Sequence, residues 1–190
     1  MEQERNTCLA PSLKDFRLPK YSQLPDMGLY LEQTAKYMNM TLAPLGYFEI
    51  TGSMIRNYVK MGLVKNPVQK QYYREHISRL LSLTVLKSVI SLEHIHQLFR
   101  LQQQSYSDET AFDYFCMELE NTILYRFGLR DSLDNIGVTD SLEKEMLRSA
   151  ITAVSHIIYL NACFEHLNLH ASENGSDEKP DLERKSPEIL

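Results

Sequence analysis

The sequence is poor in the groups from which catalytic and metal centres are built. Its cysteines, Cys8, Cys116 and Cys163, are odd in number and show no CxxC spacing, which excludes a closed disulfide framework and gives no zinc signature. Reduced structural thiols are expected, with a redox or ligand role as the alternative. No nucleophile elbow, glycine-rich phosphate loop or carboxylate pair with a partner base is present, so no catalytic residue and no cofactor is assigned and the chain does not read as an enzyme. His94 and His96 lie two apart on a predicted helix and point to different sides, poor geometry for one metal, while His156 and His166 flank an apolar stripe; no metal site is expected. Long apolar runs are missing too, none reaching the roughly 18 residues of a membrane span. No opening segment joins a basic stretch, an apolar core and a small-residue cleavage site. The expectation is a soluble, cytoplasmic protein without a membrane partner.

What is present is material for a core and a lopsided charge. Hydrophobic residues make up 43% of 190 positions, enough for one domain or two small ones. The net charge of −5 hides a strong asymmetry: residues 51–100 hold four Lys and four Arg against two Glu, a net of +6, and residues 101–190 hold seven basic against seventeen acidic groups, a net of −10. A protein of sequence pI near 5.7 thus gathers positive charge in one stretch, Ile50 to Phe99, which points to an anionic partner.

Residues 1–27 carry Pro11, Pro19 and Pro25 and read as an irregular arm, with Phe16, Leu18, Tyr21 and Leu24 able to pack it onto a domain. Leu31, Ala35 and Met38 predict a helix over about 29–42, ended by Pro44 and Gly46. Tyr47, Phe48 and Ile50 form an apolar connector. Thr51 or Ser53 then caps a short helix with Met54, Ile55, Tyr58 and Val59 on its buried face and Gly62 as its left-handed stop; Arg56, Asn57 and Lys60 project elsewhere. Residues 63–73 change period: Leu63-Val64, a polar turn through Lys65-Asn66-Pro67, then Val68, Lys70 and Tyr72 alternating with Gln69, Gln71 and Tyr73, the pattern of a small two-stranded hairpin. A long helix follows from about Arg74, with a restart at Ser91 whose apolar side is Leu92, Ile95, Leu98 and Phe99. Gln102 to Ser105 is a hinge or a fraying end. Asp108 opens another helix, lined by Phe112, Phe115, Leu119, Ile123 and Phe127 and stopped by Gly128.

After a loop over 128–140, Asp140-Ser141 caps the longest helix, about 142–169. Met146, Ala150, Ala153, Ile157, Leu160, Phe164 and Leu167 fall on it in an unbroken four-three alternation, widened by Leu147, Ile151, Val154 and Ile158. So broad an apolar face on a helix of roughly 40 Å is expected to be covered by a second copy of the chain; the alternative is an internal core helix. Residues 171–190, rich in Asp, Glu, Lys, Pro and Ser, read as a disordered acidic tail.

The order of helix, connector, short helix, hairpin, helix, helix resembles the winged helix-turn-helix of MerR-type transcriptional regulators. In that family the second helix and its sequel typically read Thr-Ile-Arg-Tyr-Tyr-Glu-Arg-x-Gly-Leu-Leu, then a proline-containing wing, then Arg-x-Tyr. Here Met54-Ile55-Arg56-Asn57-Tyr58-Val59-Lys60-Met61-Gly62-Leu63-Val64 matches that run, Pro67 sits in the wing, and Lys70-Gln71-Tyr72 matches the Arg-x-Tyr element. The string Leu18-Pro19, Leu24-Pro25-Asp26, Leu29-Tyr30 and Gln33, followed by the Met54–Lys60 run and Leu86-Lys87-Ser88-Val89, is similar to a bacterial family catalogued as domain of unknown function 1836. The resemblance covers about residues 16–100. The sequence departs from the MerR pattern in about ten extra residues around Ala43 to Gly52, and in a short wing holding only Lys65 and Lys70.

Over 28–100 the resemblance implies a winged helix-turn-helix with a small β-hairpin wing that binds double-stranded DNA; joined to the patterns read on either side, it gives an all-α fold made of an irregular arm over 1–27, this domain, a helical hairpin over 101–170 for dimerisation or effector sensing, and the tail. It implies that Arg56 and Asn57 meet base edges, since the guanidinium fork fits guanine and the carboxamide fits adenine. Lys60, Lys65, Lys70 and Arg74 would neutralise phosphates, and the Tyr58 and Tyr72 hydroxyls would bond phosphate oxygens, unless these tyrosines are core residues. Two other classes stay open: a protein-interaction adaptor that keeps the fold without binding DNA, and a sensor of an unknown small-molecule effector, in a pocket lined by Phe112, Phe115, Tyr125, Tyr159 and Phe164.

Overall fold

The computed structural model describes residue 13 and residues 16–137 and 141–173; the first residues of the expected arm, the Asp140 cap and the tail beyond residue 173 lie outside the described residues. Pro19 and Pro25 bracket a single 3-10 turn, Tyr21–Gln23. Strand β1 (Leu29–Tyr30) then runs straight into α1 (Leu31–Leu42), followed by a 3-10 turn at Ala43–Leu45, α2 (Gly52–Lys60), β2 (Gln71–Tyr72), α3 (Arg74–Leu86), α4 (Leu92–Ser105), α5 (Asp108–Arg126) and α6 (Leu142–Glu173). The molecule is therefore mostly helical, with one two-stranded antiparallel sheet.

Local signals fix most helix ends. The hydroxyls of Thr51, Ser91 and Ser107 accept the N–H groups of Met54, His94 and Thr110 at 3.2, 3.2 and 3.1 Å, each satisfying a donor that the first turn of a helix leaves unbonded. At the far end of α2, Gly62 adopts φ 72, and Leu63 N–H and Gly62 N–H return to the carbonyls of Tyr58 and Val59, both at 3.0 Å. This paired closure needs a left-handed residue, which glycine supplies without strain.

The sheet differs in its partner from the expected hairpin. Leu29 and Tyr30 pair with Tyr72 and Gln71, which is why α1 begins at Leu31 rather than at residue 29. Leu63 and Val64 form no strand; they are buried at 4% and 3% exposure beneath α2. Pro67 has no N–H to give a ladder, and within 63–73 only Val68 and Gln71 bridge, through both backbone hydrogen bonds, at 3.0 and 2.9 Å.

One continuous set of buried side chains runs from Leu13 to Ile158, across both the 28–100 and 101–170 segments. Helix α3 lies at its centre, with Ile77, Leu80, Leu81, Leu83, Val85 and Leu86 all at 0% exposure, and packs against α1, α4, α5 and α6. The predicted α5 face of Phe112, Phe115, Leu119, Ile123 and Phe127 is buried throughout. The N-terminal strap crosses α5: Leu18 N–H donates to Glu120 Oε1 at 2.8 Å and Tyr21 N–H to Asp113 Oδ1 at 2.7 Å.

The two long helices run in the same direction. Arg148 Nε reaches Glu118 Oε1 at 2.7 Å, and Tyr159 meets the Phe127 ring edge-on at 5.3 Å, so positions on both helices ascend together. The intervening loop returns along α5, where Asn121 holds Asp134 through its carbonyl at 2.8 Å and its N–H at 3.2 Å and Arg148 donates to the Ile136 carbonyl at 3.3 Å. At about 1.5 Å per residue, the 32 residues of α6 outrun the 19 of α5, and the turns after Tyr159 project past it. Among the described residues no helix is long and apolar enough to cross a membrane.

Candidate nucleic-acid interface

The extra residues between α1 and α2 are a folded brace. The 3-10 turn ends in Gly46 at φ 69, and Phe48 and Ile50 then insert into the core at 9% and 1% exposure. Asn39 of α1 bonds both backbone groups of Ile50, donating to its carbonyl and accepting its N–H, each at 2.9 Å. Gly52 follows at a close approach, since a Cβ there would lie 3.2 Å from the Leu31 side chain. The start of α2 is thereby fixed against α1 before its first turn.

On α2, Ile55 and Tyr58 are buried at 0% and 4% exposure, whereas Ser53, Arg56, Asn57 and Lys60 are exposed. Their three- and four-residue spacing places them on one face. Burial raises the Tyr58 pKa, and its side chain belongs to the core. Asn57 is only loosely engaged, its amide donating to Met61 Sδ at 3.6 Å.

Beyond α2 the bridge between Val68 and Gln71 closes a two-residue turn with Gln69 at φ 50 and Lys70 at φ 66. Left-handed φ at both central residues is the type I′ pattern that ordinarily selects Asn and Gly; here it lifts an exposed lysine to the tip. Tyr72 is buried at 4% exposure, packed edge-on against His76 at 5.7 Å. Burial raises its pKa and the charge of Arg56 pulls it back, so Arg56 lies beside the base of this turn. His76 holds the turn to α3: Nδ1 accepts the Tyr73 N–H at 3.0 Å and Nε2 lies 3.1 Å from the Asn66 carbonyl. With Nδ1 accepting, Nε2 carries the proton and donates it.

Arg56 on the exposed α2 face thus stands beside the turn that carries Lys70, whereas Lys65 borders a separate cleft with Arg79, His96 and Arg100. Arg74 is engaged with the strap: its Nε and Nη2 donate to the Leu24 carbonyl at 3.3 and 3.2 Å and its guanidinium lies 5.8 Å from the Tyr21 ring centre, which ties α3 to the strap. Asn39 and His76 are site-shaping residues that sequence reasoning missed. The third position of α3 was a usable signal for His76, because a side-chain acceptor there bonds back to the N-cap N–H.

On α6 the internal side is taken by Leu147, Ile151, Val154 and Ile158, together with Ala150 at 8% exposure. Ala153 is exposed and Ile157 half-buried, while Met146, Leu160, Phe164 and Leu167 stand out at 41, 53, 61 and 61% exposure. The five aromatic residues expected to line a pocket do not meet: Phe112 and Phe115 are core, Tyr159 lies under the Arg126 guanidinium at 4.2 Å, and Tyr125 and Phe164 are exposed. An apolar cavity of about 370 Å³ opens instead between Tyr106, Tyr114, Met117 and Leu147, with the Lys144 amine 5.9 and 5.3 Å from the two tyrosine rings. Among the described residues no three His, Cys, Asp or Glu side chains come together to hold a metal ion.

These features define a mostly helical protein with a two-stranded sheet and a cationic face on a short, doubly capped helix. The family described as "Domain of unknown function (DUF1836)" matches residues 19–121, more than half of the 190 residues, and the chain belongs to that family. The match takes in the strap, the brace, α2, the turn and the first three-quarters of α5. No curated protein and no solved structure matches the chain.

Proposed function

We propose that the protein is a sequence-specific DNA-binding transcriptional regulator with a MerR-like winged helix-turn-helix, acting in the cytoplasm as a homodimer. The observation that carries this reading is the exposed trio Arg56, Asn57 and Lys60 on a helix whose other side is fixed by Ile55, Tyr58 and both caps. Such a helix can enter a major groove as a rigid body, with Arg56 and Asn57 on base edges and Lys60 on phosphate. The strained turn supports the same reading: two non-glycine residues at positive φ cost stability where glycine costs little, and what the strain provides is Lys70 at the tip.

The test is selection of duplexes from genomic fragments of the native host. The wild-type chain should enrich a limited set, and Arg56→Ala should bind while losing that selectivity. Absence of duplex binding would leave the adaptor reading.

The exposed outer stripe of α6 supports dimerisation, since Leu160, Phe164 and Leu167 form an apolar ridge that stands 53, 61 and 61% exposed within one chain. A second role as a sensor is favoured by the 370 Å³ cavity, which lies within the range of small-molecule sites and joins the starts of α5 and α6.

A further inference from the structure

A second group of positive charges lies apart from the α2 face. A cleft of about 150 Å³ opens where the end of α2 at Gly62 meets Arg79 of α3, His96 and Arg100 of α4, and Asp108 at the start of α5; Lys65 also borders it. Arg79 is its centre. The guanidinium carbon sits 4.1 Å from the centre of the Phe99 ring, and among the described residues the group makes no hydrogen bond and no ion pair. Burial lowers its pKa, and Asp108 offsets part of this. The guanidinium nitrogens are not sealed from solvent, and with no protein acceptor bonded to them among the described residues the fork is open to an anion. Lys65 and Arg100 likewise have no ion-pair partner among the described residues.

Two carboxylates border the cleft, and both have another role. Glu75 lies in the first turn of α3 and Asp108 in the first turn of α5, where the positive end of a helix already balances negative charge. Asp108 still acts on Arg79, but the three cations outnumber the two carboxylates and none is held in an ion pair among the described residues.

We propose that this cleft binds a phosphate group, with the Arg79 fork taking two oxygens and Arg100 and Lys65 closing on the others. Planar, bidentate contact is what a guanidinium offers phosphate, and the Phe99 face holds the fork in place. Size narrows the ligand: about 150 Å³ falls below the ~300–1,000 Å³ of whole small-molecule sites, so the cleft takes a single phosphate head whose remainder stays outside. That head comes either from a duplex backbone lying against the end of α2 or from a free phosphorylated small molecule. The free-phosphate arm needs only the cleft; the duplex arm rests on the proposed DNA binding.

The experiment follows thermal unfolding of the full-length chain against inorganic phosphate and pyrophosphate at fixed ionic strength, alongside salt titrations of duplex binding. It uses the wild type, Arg79→Gln and the exposed-site variant Arg100→Gln. A free-ligand site predicts a rise in Tm for the wild type and an apparent affinity about tenfold weaker in both variants. A duplex-backbone site predicts no response to either anion, but a log K against log [salt] slope smaller by about one unit in each variant. Unmoved Tm values together with unchanged slopes, or with no duplex binding at all, overturn the proposal. Anion stabilisation that depends on Arg79 in a protein that binds no duplex supports the cleft and removes only the DNA reading.

Discussion

Asn39 grips Ile50 by both backbone groups, donating to the carbonyl and accepting the N–H, each at 2.9 Å. The next residue is Thr51, the N-cap of α2. A connector that looks too long for a tight helix pair is thus pinned one residue before the N-cap of the helix that carries Arg56, Asn57 and Lys60.

Asn39→Ala should therefore cost about 1–3 kcal/mol, because it leaves two polar groups of buried Ile50 without partners. Duplex affinity should fall with it, although Asn39 is not on the exposed α2 face. Urea unfolding and a binding isotherm on the same variant check both parts.

Lys70→Gly separates stability from binding. At φ 66 the lysine is strained and glycine is not, while glycine adds freedom to the unfolded chain. The expected balance is neutral to stabilising, by up to about 1 kcal/mol, with weaker binding to every duplex. A variant that is less stable and binds unchanged would contradict both the strain and the role given to the turn.

Glu120 gives a pH signature. Burial pushes its pKa above the ordinary carboxylate value, despite the Leu18 N–H and Arg17. Because the folded value lies above the unfolded one, the stability contributed by the protonated form is present in acid and is lost as pH rises through the folded value. Glu120→Gln keeps an acceptor for Leu18 without a charge, so it should be more stable than wild type near neutral pH, by a margin that closes as pH falls through the carboxylate range. The Arg17 contact, 3.7 Å long with Arg17 58% exposed, is too open to reverse this. Melting curves at several pH values decide it.

Arg148→Ala should be among the most damaging single changes, about 3–5 kcal/mol, since it strands a carboxylate at 0% exposure,. Adding Glu118→Gln should restore much of the loss. Chemical denaturation of the single and double variants measures the coupling.

Phe164→Glu should turn a dimer into a monomer with unchanged helical content, because Phe164 is 61% exposed within one chain. Sedimentation paired with circular dichroism reads both. A wild-type chain that is already monomeric would remove the dimer from the account.

What could be read from the sequence was local. Thr51 and Gly62 marked both ends of α2, and the Phe112-to-Phe127 spacing marked the inward face of α5. What could not be read was distant. Leu29–Tyr30 is too short for strand alternation to show, and its partner lies some forty residues on. The shared direction of α5 and α6 depends on Asn121 catching the loop at Asp134, and Arg74 looked like a phosphate ligand until the strap offered it the Leu24 carbonyl. A cation's partner is set by what the fold brings beside it, so charge alone could nominate Arg74 without placing it.

The most direct measurement of the central claim is duplex affinity against salt for the wild type, Arg56→Ala and Lys70→Ala. The account predicts a steep linear fall of log K with log [salt]. Lys70→Ala should lower that slope by about one unit on every duplex. Arg56→Ala should cost about 1–3 kcal/mol on a preferred duplex and far less on an unrelated one. A flat salt response, or an Arg56→Ala loss equal on both duplexes, would contradict it.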